Sequence, residues 1–171
     1  SIMVGGDADA VAKVWSLFES MGKTVIHQGG PGYGQHTKMV NQILLAGSMI
    51  GLAESMAYAE AAGLEPAKVI SSIKDGAAGS RALTDFGPKI LQGDFTPGFY
   101  AKHYLKDLGI ALDEAGRMDL KLPMLELVQG FYDRICREGL NQCGTHVLSA
   151  VMAADQGSEE ASRALSGLKS A

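Results

Sequence analysis

The chain has 171 residues, 46% of them apolar and 20% charged, with a formal net charge of −4, a composition that fits a folded globular core and excludes a disordered segment. The negative balance and the lack of any lysine/arginine run leave nucleic-acid binding, or reuse as a nucleosome-contact domain, without electrostatic support. The most apolar run, residues 43–53, stops at Glu54, far short of the roughly 20 residues needed to span a membrane.

The opening "SIMVGGDADA" has neither the basic start nor the apolar core of a signal peptide. Cys136 and Cys143 lie seven apart and outside any CxxC pair, so a reduced intracellular pair and a cytoplasmic protein are expected. His27, His36, His103 and His146 show no paired metal-ligand spacing, and no metal is expected.

In chain order, "SIMVGG" reads as a short strand and turn. Residues 7–22 carry apolar side chains at 11, 14, 15, 17 and 18, a helical spacing that closes on Gly22. "KTVIHQ", 23–28, is β-branched and strand-like. Strand, helix and strand are too little sheet to stand alone, so residues 1–30 read as the C-terminal remnant of a larger α/β domain.

From Gly34 onward strand signals nearly vanish. Residues 35–62 form one helical pattern ending at the C′ glycine Gly63, roughly 40 Å long at the helical rise. Over 43–53 it is apolar almost all round, which predicts a buried central helix. Shorter helices are expected over 66–75, 80–92, 102–117, 122–138, about 143–153 and 158–169, with "DFTPGF" at 94–99 as an irregular loop. The fold class is therefore mainly α: an all-α domain, 31–171, built on one long helix and preceded by a short α/β remnant.

Two stretches could carry chemistry. In "GGPGYGQHTKMVNQ", 29–42, the glycines run Gly30-x-Gly32-x-Gly34 with Pro31 inside and no final small residue of GxGxxG; a tight hinge outweighs a dinucleotide loop. Lys38 follows near the first turn of the long helix, where the helix terminus disfavours an ammonium. If the site is also desolvated, the amine moves toward the range of a general acid/base. Asn41 and Gln42 lie three and four residues on, on the same helical face, able to orient a hydroxyl or carboxylate. An exposed helix-start lysine explains the same spacing. In "FYAKHYLKDLGIALDEA", 99–115, Lys106 and Asp107 interrupt an amphipathic helix; adjacent residues project about 100° apart, and a solvated pair is the plain reading.

Four segments together resemble the β-hydroxyacid dehydrogenase family, which includes 3-hydroxyisobutyrate dehydrogenase, tartronate semialdehyde reductase and 6-phosphogluconate dehydrogenase. They are "IMVGGD" (2–7), "MGKTVIHQGGPGYGQHTKMVNQ" (21–42), "GLAESMAYAEAAGLEP" (51–66) and "GDFTPGFYAKHYLKDLGIALDEA" (93–115). The resemblance covers about residues 1–155. It implies an oxidoreductase acting on a small β-hydroxyacid with NAD or NADP, in which Lys38 exchanges the proton of the substrate hydroxyl. Gly32 and Gly34 would let the backbone approach the substrate. A carboxamide at Asn41 or Gln42 would hold its hydroxyl, since the family's usual lysine-plus-four asparagine is Gln42 here. Lys106 matches a cofactor-contacting lysine, and Phe99 and Asp107 match residues lining the closed site.

The family's N-terminal Rossmann domain, which binds most of the cofactor, is absent from these residues, so an isolated chain without turnover is expected. Pairing of the helical domains into a homodimer or homotetramer is also implied. The other class of function is a non-catalytic helical association module, with Gly47 and Gly51 beside Ala46 and Ala53 as a small-residue face.

Overall fold

The computed structural model describes residues 1–169. Among the described residues two strands and eight helices follow in the order β1 (Ile2–Gly5), α1 (Ala8–Met21), β2 (Val25–Gly29), α2 (Tyr33–Ala61), α3 (Pro66–Ile73), α4 (Arg81–Leu91), α5 (Ala101–Arg117), α6 (Pro123–Arg137), α7 (Val147–Asp155) and α8 (Glu159–Lys169). The fold is thus mainly α with a small α/β piece. The chain forms two compact units, Ser1–Ile43 and the residues from Leu44 onward.

In the first unit β1 and β2 pair in parallel, Ile2 opposite Val25 and Val4 opposite His27, with an irregularity after Val4. α1 makes the crossover a parallel pair needs. Its start is fixed by Asp7, whose carboxylate accepts from the Ala10 N–H at 3.0 Å.

In the second unit α2 delivers Leu52 and Met56 to a core shared with Ile70 of α3 and Leu83 of α4. Among the fully buried side chains are Tyr104 and Leu108 of α5, with Leu125, Val128, Tyr132 and Ile135 of α6. The Tyr104 and Tyr132 rings meet edge to face at 4.9 Å, a favoured aromatic geometry.

Three expectations need correction. The α2 segment is not buried all round: Ala46, Met49 and Ala53 are inside, while Leu44 is 70% and Tyr58 74% exposed. The small-residue face also splits, because Ala46 and Ala53 point inward while Gly51 is exposed; neighbours along a helix differ by about 100° and cannot share one face. The seventh helix begins at Val147, not 143. The Gly144 N–H donates to the Phe95 carbonyl at 2.8 Å and the Ala101 N–H to the Cys143 carbonyl at 2.9 Å, so this backbone is committed to an antiparallel bridge between Tyr100 and Gly144.

Among the described residues, no helix is long and apolar enough to cross a membrane.

Candidate active site

The glycine turn is held by contacts that sequence spacing alone did not reveal. A Cβ on Gly34 would lie 2.4 Å from the Met3 carbonyl oxygen, and one on Gly5 would lie 2.6 Å from the Gly34 nitrogen. Strand β1 therefore lies directly against the first turn of α2, and only paired glycines allow it. Gly32 differs: its φ of +89° needs glycine, while the space before it is open. The helix starts two residues earlier than expected, with the His36 N–H donating to the Gly32 carbonyl at 3.0 Å. Lys38 consequently falls in the second turn rather than the first, where the partial charge of the helix end has largely decayed.

Lys38, Asn41 and Gln42 are brought together. The Lys38 Nζ donates to Gln42 Oε1 at 3.0 Å, and the Asn41 Nδ2 donates to the same oxygen at 2.9 Å. Gln42 is only 1% exposed, whereas Lys38 and Asn41 are exposed. Both line an open cleft of about 760 Å³, whose walls include β1, Phe18 and Gly34. The amine is thus at a cleft mouth, tethered to a buried carbonyl. Its site within this chain is open to solvent, so any desolvation must come from what binds there.

Within the second unit, the Lys106 Nζ lies 3.1 Å from the Asp107 carboxylate. The flexible lysine stem bridges the angle between adjacent positions, which the expectation of separate faces did not allow for. Nor is the pair simply solvated, because Asp107 is buried, at 8% exposure. Half-buried Phe99 meets the edge of Tyr104 at 5.9 Å. Its loop is pinned from α7's side: the Thr145 N–H donates to the Phe99 carbonyl, and His146 Nε2 donates to the Asp94 carbonyl at 2.7 Å. The Tyr132 hydroxyl donates to the Thr145 carbonyl at 2.8 Å. Gly144 is required here too, since a Cβ would sit 2.5 Å from the His146 ring. Sequence reasoning missed Gly5, Gly144 and His146. The first belongs to a turn that could be quoted but not placed, and the others carry no periodic signal.

Other proton-exchanging groups are tuned away from such work. Burial, with the charge of Asp107, holds the Tyr104 phenol well above its usual range, and burial alone raises both thiols, Cys136 and Cys143. Each therefore stays protonated at neutral pH.

A dinucleotide would need a diphosphate cradle of open backbone N–H groups at a helix start. The residues present do not make one at α2, because β1 fills that place: a Cβ on Gly5 would also lie 3.0 Å from the Tyr33 nitrogen.

Residues 32–152 match the family described as NAD-binding of NADP-dependent 3-hydroxyisobutyrate dehydrogenase. The chain belongs to this family. An uncharacterized oxidoreductase of Bacillus subtilis (strain 168) is 50% identical over 145 residues, 85% of this chain and 50% of its own length. The 2-hydroxy-3-oxopropionate reductase of Escherichia coli (strain K12) is 36% identical over 142 residues, 83% of this chain and 49% of its own. Among solved structures, a 3-hydroxyisobutyrate dehydrogenase of Mycobacterium tuberculosis with L-serine superposes with a TM-score of 0.82 at 25% identity, covering 88% of this chain and 54% of that one. The family resemblance and the mainly helical fold expected from the sequence both hold. The chain spans about half the length of the relatives it matches.

Proposed function

We propose that this chain supplies the proton-transferring half of an NAD(P)-dependent hydroxyacid dehydrogenase, with Lys38 as general acid/base. The observation that carries the reading is the Lys38 amine held 3.0 Å from a buried carbonyl at the mouth of an open cleft. The amine takes the proton of a substrate hydroxyl during oxidation and returns it during reduction. A nicotinamide, held mainly by a region equivalent to the other half of the relatives, supplies the hydride exchange. Gly32, open in front and fixed in its turn, is assigned to close backbone approach, together with Gly34. One of the two carboxamides, Asn41 or Gln42, holds the hydroxyl. Phe99 and Asp107 are assigned to substrate contact and Lys106 to the cofactor.

The substrate class is a small β-hydroxyacid such as 3-hydroxyisobutyrate, or the corresponding semialdehyde such as tartronate semialdehyde in the reductive direction; the named activities of the relatives support that size and chemistry. In this reading residues 1–30 close a cofactor-binding domain, and 31–171 form the substrate-binding and dimerising domain. The protein works in the cytoplasm, and the isolated chain does not turn over. A second role, self-association, is favoured by one observation: Leu44 and Tyr58 expose large apolar surface on α2, which water disfavours.

The test is Lys38→Met in the intact dehydrogenase polypeptide that contains these residues. Turnover is expected to fall by about 10³-fold, within the range of lost acid/base catalysis, with the thermal midpoint unmoved because the side chain is exposed. Normal turnover by that variant would overturn the reading.

A further inference from the structure

The two carboxamides beside Lys38 are not equivalent. Gln42 is buried to 1% exposure, and its Oε1 receives two donors, Lys38 Nζ at 3.0 Å and Asn41 Nδ2 at 2.9 Å. The amide presents its oxygen to both donors; its nitrogen turned toward the ammonium would set donor against donor. Asn41 is exposed and lines the cleft with Lys38, while Gln42 is absent from the cleft wall.

We infer that Gln42 is a positioning residue for the Lys38 amine and that Asn41 alone of the two carboxamides contacts the substrate. The inference rests on Lys38 being the acid/base.

A neutral lysine keeps two N–H bonds and an ammonium three, so one N–H can remain on Gln42 Oε1 in both states. With that bond fixed, the lone pair of the neutral amine is confined to directions around the remaining staggered positions. It meets the substrate O–H only when the tether holds the amine at the cleft. As the hydroxyl gives up its proton, the new N–H bond forms on the lone pair and the tether is undisturbed. A neutral acceptor suits this work. A carboxylate in the same place would favour the ammonium and oppose its loss of a proton, leaving less of the neutral amine ready to act as base. Asn41 is held by its own N–H on Gln42, which turns its Oδ1 side away from that contact. Gln42 thereby orders both side chains from beneath, without reaching the ligand.

The experiment measures kcat, KM and their pH dependence for Gln42→Leu, Gln42→Glu, Asn41→Ala and Lys38→Met in the intact dehydrogenase polypeptide. Gln42→Leu is expected to lower kcat about tenfold or more with KM changed less than about threefold, since only orientation of the acid/base is lost. Asn41→Ala is expected to raise KM mainly and to leave the pH profile in place. Gln42→Glu keeps an acceptor oxygen and is expected to retain kcat within about threefold at its optimum. Its acid limb for oxidation should move about one pH unit upward, because the added carboxylate favours the ammonium.

A Gln42→Leu enzyme that raises KM alone, or one that matches the parent, overturns the inference. Should Gln42→Leu fail to fold, the Gln42→Glu limb decides, and an unmoved limb counts against it. Lys38→Met separates the two levels. If it is inactive while Gln42 variants behave as the parent, the positioning role alone falls. If Lys38→Met is active, the acid/base reading falls and the positioning role with it.

Discussion

The two lysine segments, Lys38 on α2 and Lys106 on α5, look alike in sequence and differ in the partner each lysine meets. Lys38 faces a neutral carbonyl, Gln42 Oε1, whereas Lys106 faces a carboxylate, Asp107. A carboxylate stabilises the charged form of its neighbour and a neutral carbonyl binds either form. The first arrangement lets an amine change its proton count during a reaction. The second suits a standing positive charge, the kind that meets a phosphate or another anion. On the proposed reading, the partner, rather than the lysine, separates an acid/base site from an electrostatic one.

The comparison can be broken first at the turn that carries Lys38. Gly34→Ala drives a methyl into the Met3 carbonyl at 2.4 Å, and the backbone on both sides has little room to yield. It should destabilise the first unit by about 3 kcal/mol, at the upper end of overpacking, as read by urea denaturation. Gly30→Ala, with open space at its Cβ position, is the control and should be neutral. Equal stability of the two variants would show that β1 does not brace the lysine turn.

A smaller effect is expected at Lys106. Lys106→Met removes a standing charge, so KM for the nicotinamide cofactor should rise about tenfold, a loss of about 1.4 kcal/mol in binding, with kcat and its pH profile nearly kept. Added salt should weaken cofactor binding to the parent and affect the variant much less. A displaced pH profile in Lys106→Met would erase the distinction between the two lysines.

How much of this was legible in the sequence follows from which forces are local. Helix spans came through because apolar spacing and end signals such as Gly22 and Gly63 are read along the chain. The Lys38, Asn41 and Gln42 grouping came through for the same reason, since three- and four-residue steps share a helical face. The exposed side of α2 did not, because apolar residues at 44 and 58 look the same whether or not anything covers them. The clasp between Gly5 and Gly34 and the bridge from Gly144 to the Phe99 loop were hidden as well. Both are backbone contacts between distant segments, and glycine records only that space is short, not what fills it.

The smallest expected effect concerns that loop. Burial holds the His146 imidazole below its ordinary value, though its hydrogen bond to the Asp94 carbonyl opposes this. Lys89 and Asp94 are the charged groups that act on it, with opposite signs. The unfolded state therefore takes up a proton first as pH falls through about 6.5. Stability contributed by this residue is complete above that pH and is lost below it, by at most about 1.4 kcal/mol per pH unit. Urea denaturation between pH 7.5 and about 5 should show this slope in the parent, and a flatter one in His146→Gln. The carboxylates of Asp94, Glu138 and Asp155, held low chiefly by side-chain hydrogen bonds, act only at more acid pH. An unchanged slope in the variant would mean that another group governs the loop.

The most direct measurement of the central claim is turnover by Lys38→Arg in the intact dehydrogenase polypeptide. Arginine keeps the positive charge and does not give up its proton at working pH. If Lys38 exchanges a proton with the substrate hydroxyl, Lys38→Arg loses activity about as severely as Lys38→Met, near 10³-fold. If Lys38→Arg instead turns over within about tenfold of the parent, the side chain contributes charge alone, and Lys38 is not the acid/base.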